Sequence, residues 1–222
     1  KSVIGLKKGD HVILDPVIAC DHCNTCKSGH PNVCPDVKCY GVQMDGAFQD
    51  YIVVEDRRLY KIPEEYPMDA AALAEPFSIA ANILKKARAR GGESMVIIGA
   101  GTIGLAVLQA AKGMGLKVLI SDVAERKLEY AREFGADFVV NSTTEDLSKA
   151  VKKAFPDGAD ITLDAVGIHS LTSRSVEFAA AEGRIIVIGF DGASLHLPEV
   201  VITKKELSLI GSRMNCGRFP DV

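Results

Sequence analysis

Four cysteines near the amino end of the sequence have the spacing of metal ligands. They are Cys20, Cys23, Cys26 and Cys34, in the pattern C-x2-C-x2-C-x7-C. Two-residue gaps let a tight turn present successive sulfurs to one ion, and four thiolates suit tetrahedral zinc. Such a site is closed and structural, so we predict that zinc staples residues 20–34, here called the zinc lobe. Disulfides are the alternative, but cysteines three apart form strained loops and a cytoplasmic compartment disfavours them.

Other side chains around the zinc lobe are interpreted as bystanders. His22 and His30 lie inside it, but four thiolates already fill the shell of a zinc ion, so we predict surface imidazoles. Cys39 and Cys216 stand alone, and a buried, inert thiol is the default for such a cysteine. A zinc ribbon that binds nucleic acid is another interpretation of the lobe. The net charge of −3 disfavours it, because nucleic-acid binding needs a basic surface.

A glycine-rich turn forms the second informative group. The apolar run Ser94–Ile98 leads directly into a G-x-G-x-x-G pattern at Gly99, Gly101 and Gly104, and Asp122 follows 18 residues later. In a strand–turn–helix context, this spacing is typical of a dinucleotide site. The first glycine permits the tight turn, the second lets a pyrophosphate approach the backbone, and the third lets helix and strand pack closely. The amino end of the helix then offers N–H groups to the phosphates.

Asp122 indicates which dinucleotide is bound. Its carboxylate is placed to accept hydrogen bonds from the adenosine ribose and to repel a 2′-phosphate, which favours NAD over NADP. Arg126 and Lys127 follow closely, and a nearby cation is able to accommodate the extra phosphate, so NADP stays open. The structural alternative is a Rossmann-like core without nucleotide, in which Asp122 only caps a helix.

The elements that would position these groups change character along the chain. Residues 1–78 are predicted to form short β runs with turns, including His11–Leu14 and Phe48–Val54. Residues 79–222 alternate strands with helices, as a doubly wound parallel α/β sheet does. The predicted strands are Ser94–Ile98, Lys117–Ser121, Phe138–Val140, Asp160–Asp164, Arg184–Ile188 and Leu207–Ile210. The predicted helices are Ile79–Ala89, Ile103–Lys112 and Glu125–Phe134.

The composition excludes several classes of protein. Of 222 residues, 47% are hydrophobic and 25% are charged, and the net charge is −3. Such a chain is able to bury a core, whereas its acidic balance disfavours a nucleic-acid partner. Ser94–Ala111 carries no charge, but its glycines indicate a buried strand followed by a helix rather than a membrane span. We therefore expect a soluble, cytoplasmic protein without a membrane partner.

Several motifs together resemble one family, the zinc-dependent medium-chain dehydrogenases/reductases. Besides the zinc lobe and the glycine turn they are Gly9-Asp10-His11-Val12, Asp45-Gly46-Ala47-Phe48, Ala74-Glu75-Pro76, Asp164-Ala165-Val166-Gly167 and Gly183-Arg184 to Gly189. The resemblance covers essentially the whole chain, which looks truncated at both ends against that family. It implies part of a GroES-like catalytic domain followed by a Rossmann domain.

The resemblance also implies catalytic chemistry. In this family a second zinc polarises the substrate hydroxyl while hydride passes to the nicotinamide. The segments that carry its cysteine and its His-Glu pair precede the equivalent of Lys1, so Glu75 is the candidate catalytic-zinc ligand here. Glu75 beside Pro76 looks like the sorbitol, threonine and polyol branch, and the tail after Lys204 looks like dehydrogenases of L-gulonate or L-galactonate. The other interpretation of Glu75 is an interdomain carboxylate or a helix-start residue beside Pro76.

The same resemblance implies further cofactor contacts and an assembly. Thr102 and Ile103 would lie against the dinucleotide at the turn, and Lys127 would stand beside the ribose. Val166 with Ile188 and Gly189 would line the nicotinamide side, or pack as ordinary strand ends. The family forms dimers or tetramers, often through the strand equivalent to Leu207–Ile210.

These observations predict an NAD-dependent zinc oxidoreductase that takes hydride from a secondary alcohol, either a polyol or a sugar acid. The chain alone is expected to be inactive. A nucleotide-binding module without catalysis is the main alternative, because the other catalytic-zinc ligands are absent from the chain. A quinone reductase of the same superfamily is disfavoured, since the zinc lobe suits the zinc-containing branch.

Overall fold

The computed structural model describes residues 5–190, 192 and 194–222 of the chain. Contacts between residues divide the chain into two compact units. The first ends at Ile79 and takes in Arg213–Val222, and the second is Ala80–Ser212. Residues 1–4 of the predicted first domain lie outside the described residues.

The first unit consists of short strands, turns and small helices. Its elements are β1 (Val12–Leu14), β2 (Val17–Ile18), α1 (Asn24–Lys27), β3 (Lys38–Cys39), β4 (Leu59–Lys61), α2 (Met68–Ala71) and the start of α3 (Ala74–Lys86). β1 pairs antiparallel with β4, and β2 pairs antiparallel with β3. Single 3-10 turns occupy Pro31–Val33, Asp56–Arg58 and Phe219–Asp221. Pro76 is accommodated in the first turn of α3, where a missing N–H leaves no helical bond unmade.

Two details of the first unit differ from the sequence prediction. Phe48–Val54 is not a strand: Phe48, Tyr51 and Val53 are exposed, and no strand in the described part of the chain pairs with the segment. Strand propensity without a ladder partner does not make a strand. The segment 213–222, predicted in the second domain, lies in the first unit, because Phe219 stacks on Tyr60 with ring centroids 5.4 Å apart.

The second unit is a doubly wound parallel sheet. Its strands are β5 (Ser94–Ile98), β6 (Lys117–Asp122), β7 (Phe138–Asn141), β8 (Ala159–Asp164), β9 (Ala179–Val187) and β10 (Ser208–Gly211). Their order is β10-β9-β8-β5-β6-β7, and every neighbouring pair is parallel. The chain therefore starts in the middle, winds to one edge, and returns across β5 to the other edge. This is the predicted Rossmann order, with its switch point between β5 and β8.

Helices connect these strands. They are α4 (Thr102–Gly113), α5 (Glu125–Glu133), α6 (Leu147–Ala154), α7 (His169–Phe178) and α8 (Glu199–Lys205). The run after Ser94 is a strand and then a helix, as predicted, because residues 95–98 of β5 are buried and helices cover central parallel strands. No helix among the described residues has both the length and the apolar character that crossing a membrane requires.

Candidate cofactor and metal sites

The four cysteines of the zinc lobe converge on one point. Their sulfurs all lie within 4.8 Å of one another, and three of the pairs are 3.4, 3.8 and 4.0 Å apart. A tetrahedron with zinc–sulfur bonds of about 2.3 Å has sulfur–sulfur edges of about 3.8 Å. The four thiols therefore fit one zinc ion. Among the described residues, this is the one group of three or more metal-binding side chains close enough to share an ion.

Backbone N–H groups donate hydrogen bonds to the sulfurs and so stabilise the thiolate form that binds a cation. The backbone N–H of Cys23 donates to Cys20 Sγ at 3.4 Å, and that of Cys20 donates to Cys34 Sγ at 3.5 Å. The hydrogen bond with Thr25, followed by the N–H of Cys26, lowers the pKa of Cys23 to about 6. Burial, followed by hydrogen bonding with Cys23, raises the pKa of Cys26 to about 12. Thiols packed so closely lose their protons unequally, and zinc binding removes all of them.

The other thiols and imidazoles lie as follows. His22 and His30 are exposed, as the sequence predicts. Cys39 and Cys216 are free but only partly buried, which corrects the prediction of buried thiols. Cys216 has a left-handed backbone and its sulfur lies 3.9 Å from His30 Nδ1, so it sits on the surface of the zinc lobe rather than in a core.

The glycine turn joins β5 to α4 with almost no spare space. At Gly99, φ is +102°, and an added Cβ would lie 2.7 Å from Val166 Cγ2. At Gly104, an added Cβ would lie only 1.9 Å from the carbonyl oxygen of Gly99. These two positions therefore require glycine because of the turn and because of helix–strand packing.

Gly101 is different, because its surroundings are open. Its φ is −77°, which any residue adopts, and nothing lies within 4 Å of an added Cβ. Thr102, exposed, and Ile103, partly buried, follow in the first turn of α4, where backbone N–H groups have no acceptor inside the helix. The open space beside those N–H groups and the positive end of the helix fits a pyrophosphate.

Asp122 ends β6 beside this turn and is ionised. Its Oδ2 accepts from the N–H of Ala100 at 2.8 Å, and its Oδ1 accepts from the N–H of Ala124 at 2.9 Å. Burial opposes the charge, but these N–H donors and Lys127 hold the pKa of Asp122 below its usual value. Lys127 Nζ lies 3.6 Å from Oδ2. The backbone donors were not evident from the sequence, because only the folded turn brings residue 100 to residue 122.

The remaining predicted cofactor residues lie at the ends of β8 and β9. Val166 is half-exposed and crowds Gly99, as the distances above show. An added Cβ at Gly189 would lie 3.3 Å from Gly167 Cα, so the two backbones touch. Ile188 is partly buried just after β9. The structure thus gathers the glycine turn, Asp122, Lys127 and these residues at the carboxyl edge of one sheet.

Glu75 lies in the first unit, at the start of α3. It lines a cavity of about 230 Å³ with apolar walls that include Leu14, Met68 and Phe219. Burial, followed by the charge of Asp15, raises the pKa of Glu75. A carboxyl in such surroundings is stabilised by a cation, so its chemistry fits a metal ligand.

The chain is similar in sequence to two family models and to several known dehydrogenases. Residues 102–222 match the family described as zinc-binding dehydrogenase, and residues 1–64 match the alcohol dehydrogenase GroES-like domain. A zinc-type alcohol dehydrogenase-like protein of Haemophilus influenzae is 36% identical over 98% of this chain and 64% of its own length. A 2-dehydro-3-deoxy-L-galactonate 5-dehydrogenase of Pseudoalteromonas atlantica is 31% identical over 96% of this chain and 63% of its own. The chain thus spans less than two thirds of these relatives.

Solved structures agree on the fold and differ in the cofactor. An alcohol dehydrogenase of Escherichia coli in complex with NADH superposes with a TM-score of 0.91 at 34% identity, over 96% of this chain and 64% of that one. A zinc-binding dehydrogenase of Sinorhizobium meliloti bound to NADP gives a TM-score of 0.93 at 26% identity, over 98% and 65%. Both neighbours therefore bind a nicotinamide dinucleotide.

Proposed function

The chain belongs to the zinc-type medium-chain alcohol dehydrogenases, and from that premise we propose that the protein transfers hydride from a secondary alcohol to NAD. The observation that carries the proposal is the open space over Gly101 at the start of α4, with Asp122 beside it. A dinucleotide fills such a space with its pyrophosphate and reaches the carboxylate with its ribose.

NAD is proposed over NADP because of the charge at Asp122. The carboxylate stays ionised, and each of its oxygens keeps a lone pair for a ribose hydroxyl beyond the backbone N–H that it accepts. A 2′-phosphate would meet that negative charge directly. Lys127 offsets part of the repulsion, but its ammonium is already paired with Asp122.

The proposed substrate is a polyol or a sugar acid. Two observations support this class: the Glu75-Pro76 motif of the polyol branch, and the galactonate-type dehydrogenase among the relatives. A catalytic zinc, when bound, supplies Lewis-acid polarisation of the substrate hydroxyl. Glu75 is the residue of this chain proposed to hold it, and its partial burial beside apolar walls favours pairing of that carboxyl with a cation.

The test is a substrate panel. Because this chain alone is expected to be inactive, the intact protein is purified and assayed for NAD and NADP reduction with polyols and hexonates, and its zinc content is measured. We expect alcohol-dependent reduction of NAD with a kcat/KM at least about tenfold above that for NADP. Absence of reduction with every alcohol would refute the proposed activity. An equal or higher kcat/KM with NADP would refute the assignment of cofactor.

A nucleotide-binding module without catalysis is the second candidate. The observation that favours it is that Glu75 belongs to no group of three or more metal-binding side chains among the described residues. Tight NADH binding, one zinc per chain and no turnover would identify this alternative. Turnover with any alcohol of the panel would exclude it.

We also propose a homodimer or homotetramer that forms through β10. This strand is the edge of the sheet, and Leu209 on it is exposed. An exposed edge is able to pair with a second copy across a two-fold axis. Light scattering on the purified protein and on Leu209→Lys tests this, since the variant should shift the mass toward the monomer. The six cysteines all lie among the described residues, and none of them forms a disulfide there, which supports the proposed cytoplasmic location.

A further inference from the structure

A buried carboxylate, that of Asp164, lies at the carboxyl end of strand β8. Asp164 is 1% exposed. The sequence pattern places it in a motif but indicates no role for its side chain. Its Oδ1 accepts from the backbone N–H of Val166 at 2.9 Å and of Gly167 at 3.1 Å. Its Oδ2 accepts from the hydroxyl of Thr172 at 2.7 Å. The side chain thus ties a loop to the strand before it and to the helix after it.

That loop, Ala165–Gly167, touches three other parts of the carboxyl edge. The N–H of Ala165 donates to Ile98 at the end of β5 at 2.8 Å. Val166 crowds Gly99 of the glycine turn, and Gly167 touches Gly189 after β9. Because β5 and β8 flank the switch point of the sheet, ligands of such folds bind beside this loop.

The other end of the same strand carries a matched carboxylate. Asp160 Oδ2 accepts from the N–H of Ser94 at 2.8 Å and from its hydroxyl at 2.6 Å. These bonds join β8 to β5 at the amino edge of the sheet, whereas those of Asp164 hold a loop and a helix at the carboxyl edge. Loss of Asp160 therefore weakens the sheet without touching the loop, which makes it a control for stability.

We propose that Asp164 is a positioning residue for dinucleotide binding. Its Oδ1 holds the backbone of Val166 and Gly167 in the position that leaves room for the dinucleotide beside the glycine turn. Without that acceptor, the backbone N–H groups of Val166 and Gly167 lose their partner, and the loop moves against Gly99 or away from it. The inference rests on the proposed dinucleotide function and concerns the shape of the same site.

The test compares Asp164→Ala, Asp164→Asn and Asp160→Ala in the purified protein. NADH affinity is measured by fluorescence titration, and amide hydrogen exchange is measured over residues 165–168. We expect Asp164→Ala to weaken NADH binding at least about tenfold, or about 1.4 kcal/mol. Asp164→Asn should stay within about threefold, because its Oδ1 still accepts both loop N–H groups. Asp160→Ala should lower the melting temperature and leave the NADH affinity unchanged.

Other outcomes overturn the inference. It fails if Asp164→Ala binds NADH like the unaltered protein, or if Asp160→Ala weakens binding equally. If the unaltered protein binds no dinucleotide, the proposed function fails, and faster exchange at Val166 and Gly167 in Asp164→Ala alone still decides whether Asp164 holds the loop. If Asp164→Ala does not fold, Thr172→Val removes only the donor that orients the carboxylate, and it should weaken NADH binding about threefold. Unchanged binding in that variant contradicts the proposal.

Discussion

Three glycines in and after the glycine turn should respond differently to alanine, and the structure predicts each result. At Gly104, the new Cβ starts 1.9 Å from the carbonyl oxygen of Gly99 and needs at least 3.0 Å, so α4 and β5 must separate by about 1.1 Å. Overpacking of this size costs up to about 3 kcal/mol. For a chain of this length, that upper figure corresponds to a fall in the melting temperature of about 6–12 °C.

Gly101→Ala should separate binding from stability. The new Cβ meets no protein atom and the backbone is not left-handed. Only the loss of a good helix cap acts on stability, by no more than about 1 kcal/mol. The same methyl group occupies the space proposed for the pyrophosphate, so NADH affinity should fall at least about tenfold.

Gly113→Ala, in the last turn of the same helix, is the matched control. Its Cβ also meets nothing, and alanine in place of helical glycine should stabilise the protein by about 0.5–1 kcal/mol with unchanged NADH binding. Thermal melts and fluorescence titrations of the three variants measure all of these values. The reasoning is refuted if Gly104→Ala melts within about 2 °C of the unaltered protein, or if Gly101→Ala binds NADH normally.

Three further predictions concern the zinc lobe and three ion pairs, one of which serves as a control. Chelation of zinc should make the four thiols of the zinc lobe reactive toward a thiol reagent, in addition to the two cysteines outside it. It should also lower the melting temperature, because metal binding stabilises the folded lobe. Fewer than four newly reactive thiols would contradict the four-ligand site. Arg184→Ala should destabilise the protein by about 2 kcal/mol, because the partly buried Glu93 loses its guanidinium partner and keeps, among the described residues, only the N–H of Arg90. Arg132→Ala, at an exposed pair, should change stability by less than about 0.5 kcal/mol in the same denaturant titrations. Burial opposes the charge of Asp137, but Lys112 and a backbone N–H lower its pKa below 3.8. Its stabilisation is therefore present above that pH and lost as pH falls through the lowered pKa, so Asp137→Asn should flatten the acid limb of thermal stability.

The periodic half of the chain was predictable because its signals are local. Ser94–Ile98 is a strand over the residues predicted, since an unbroken apolar run between a charged turn and a glycine is buried on both faces. The prediction of a strand at Phe48–Val54 was wrong, also for a physical reason. It has the composition of a strand, but strand formation depends on a hydrogen-bonding partner that no local pattern reveals.

The chemical groups of the sites are evident from the residues alone: four thiols at metal spacing, a glycine turn, and an acid at the expected interval after it. These depend on short separations along the chain, where covalent geometry limits what the residues can do. The contacts between residues far apart in the sequence become evident only in the folded chain. Ala100 reaches Asp122 and Phe219 stacks on Tyr60 through packing that no local spacing encodes. The role of Asp164 likewise depends on a loop that becomes a wall of the site only when β5, β8 and β9 lie side by side.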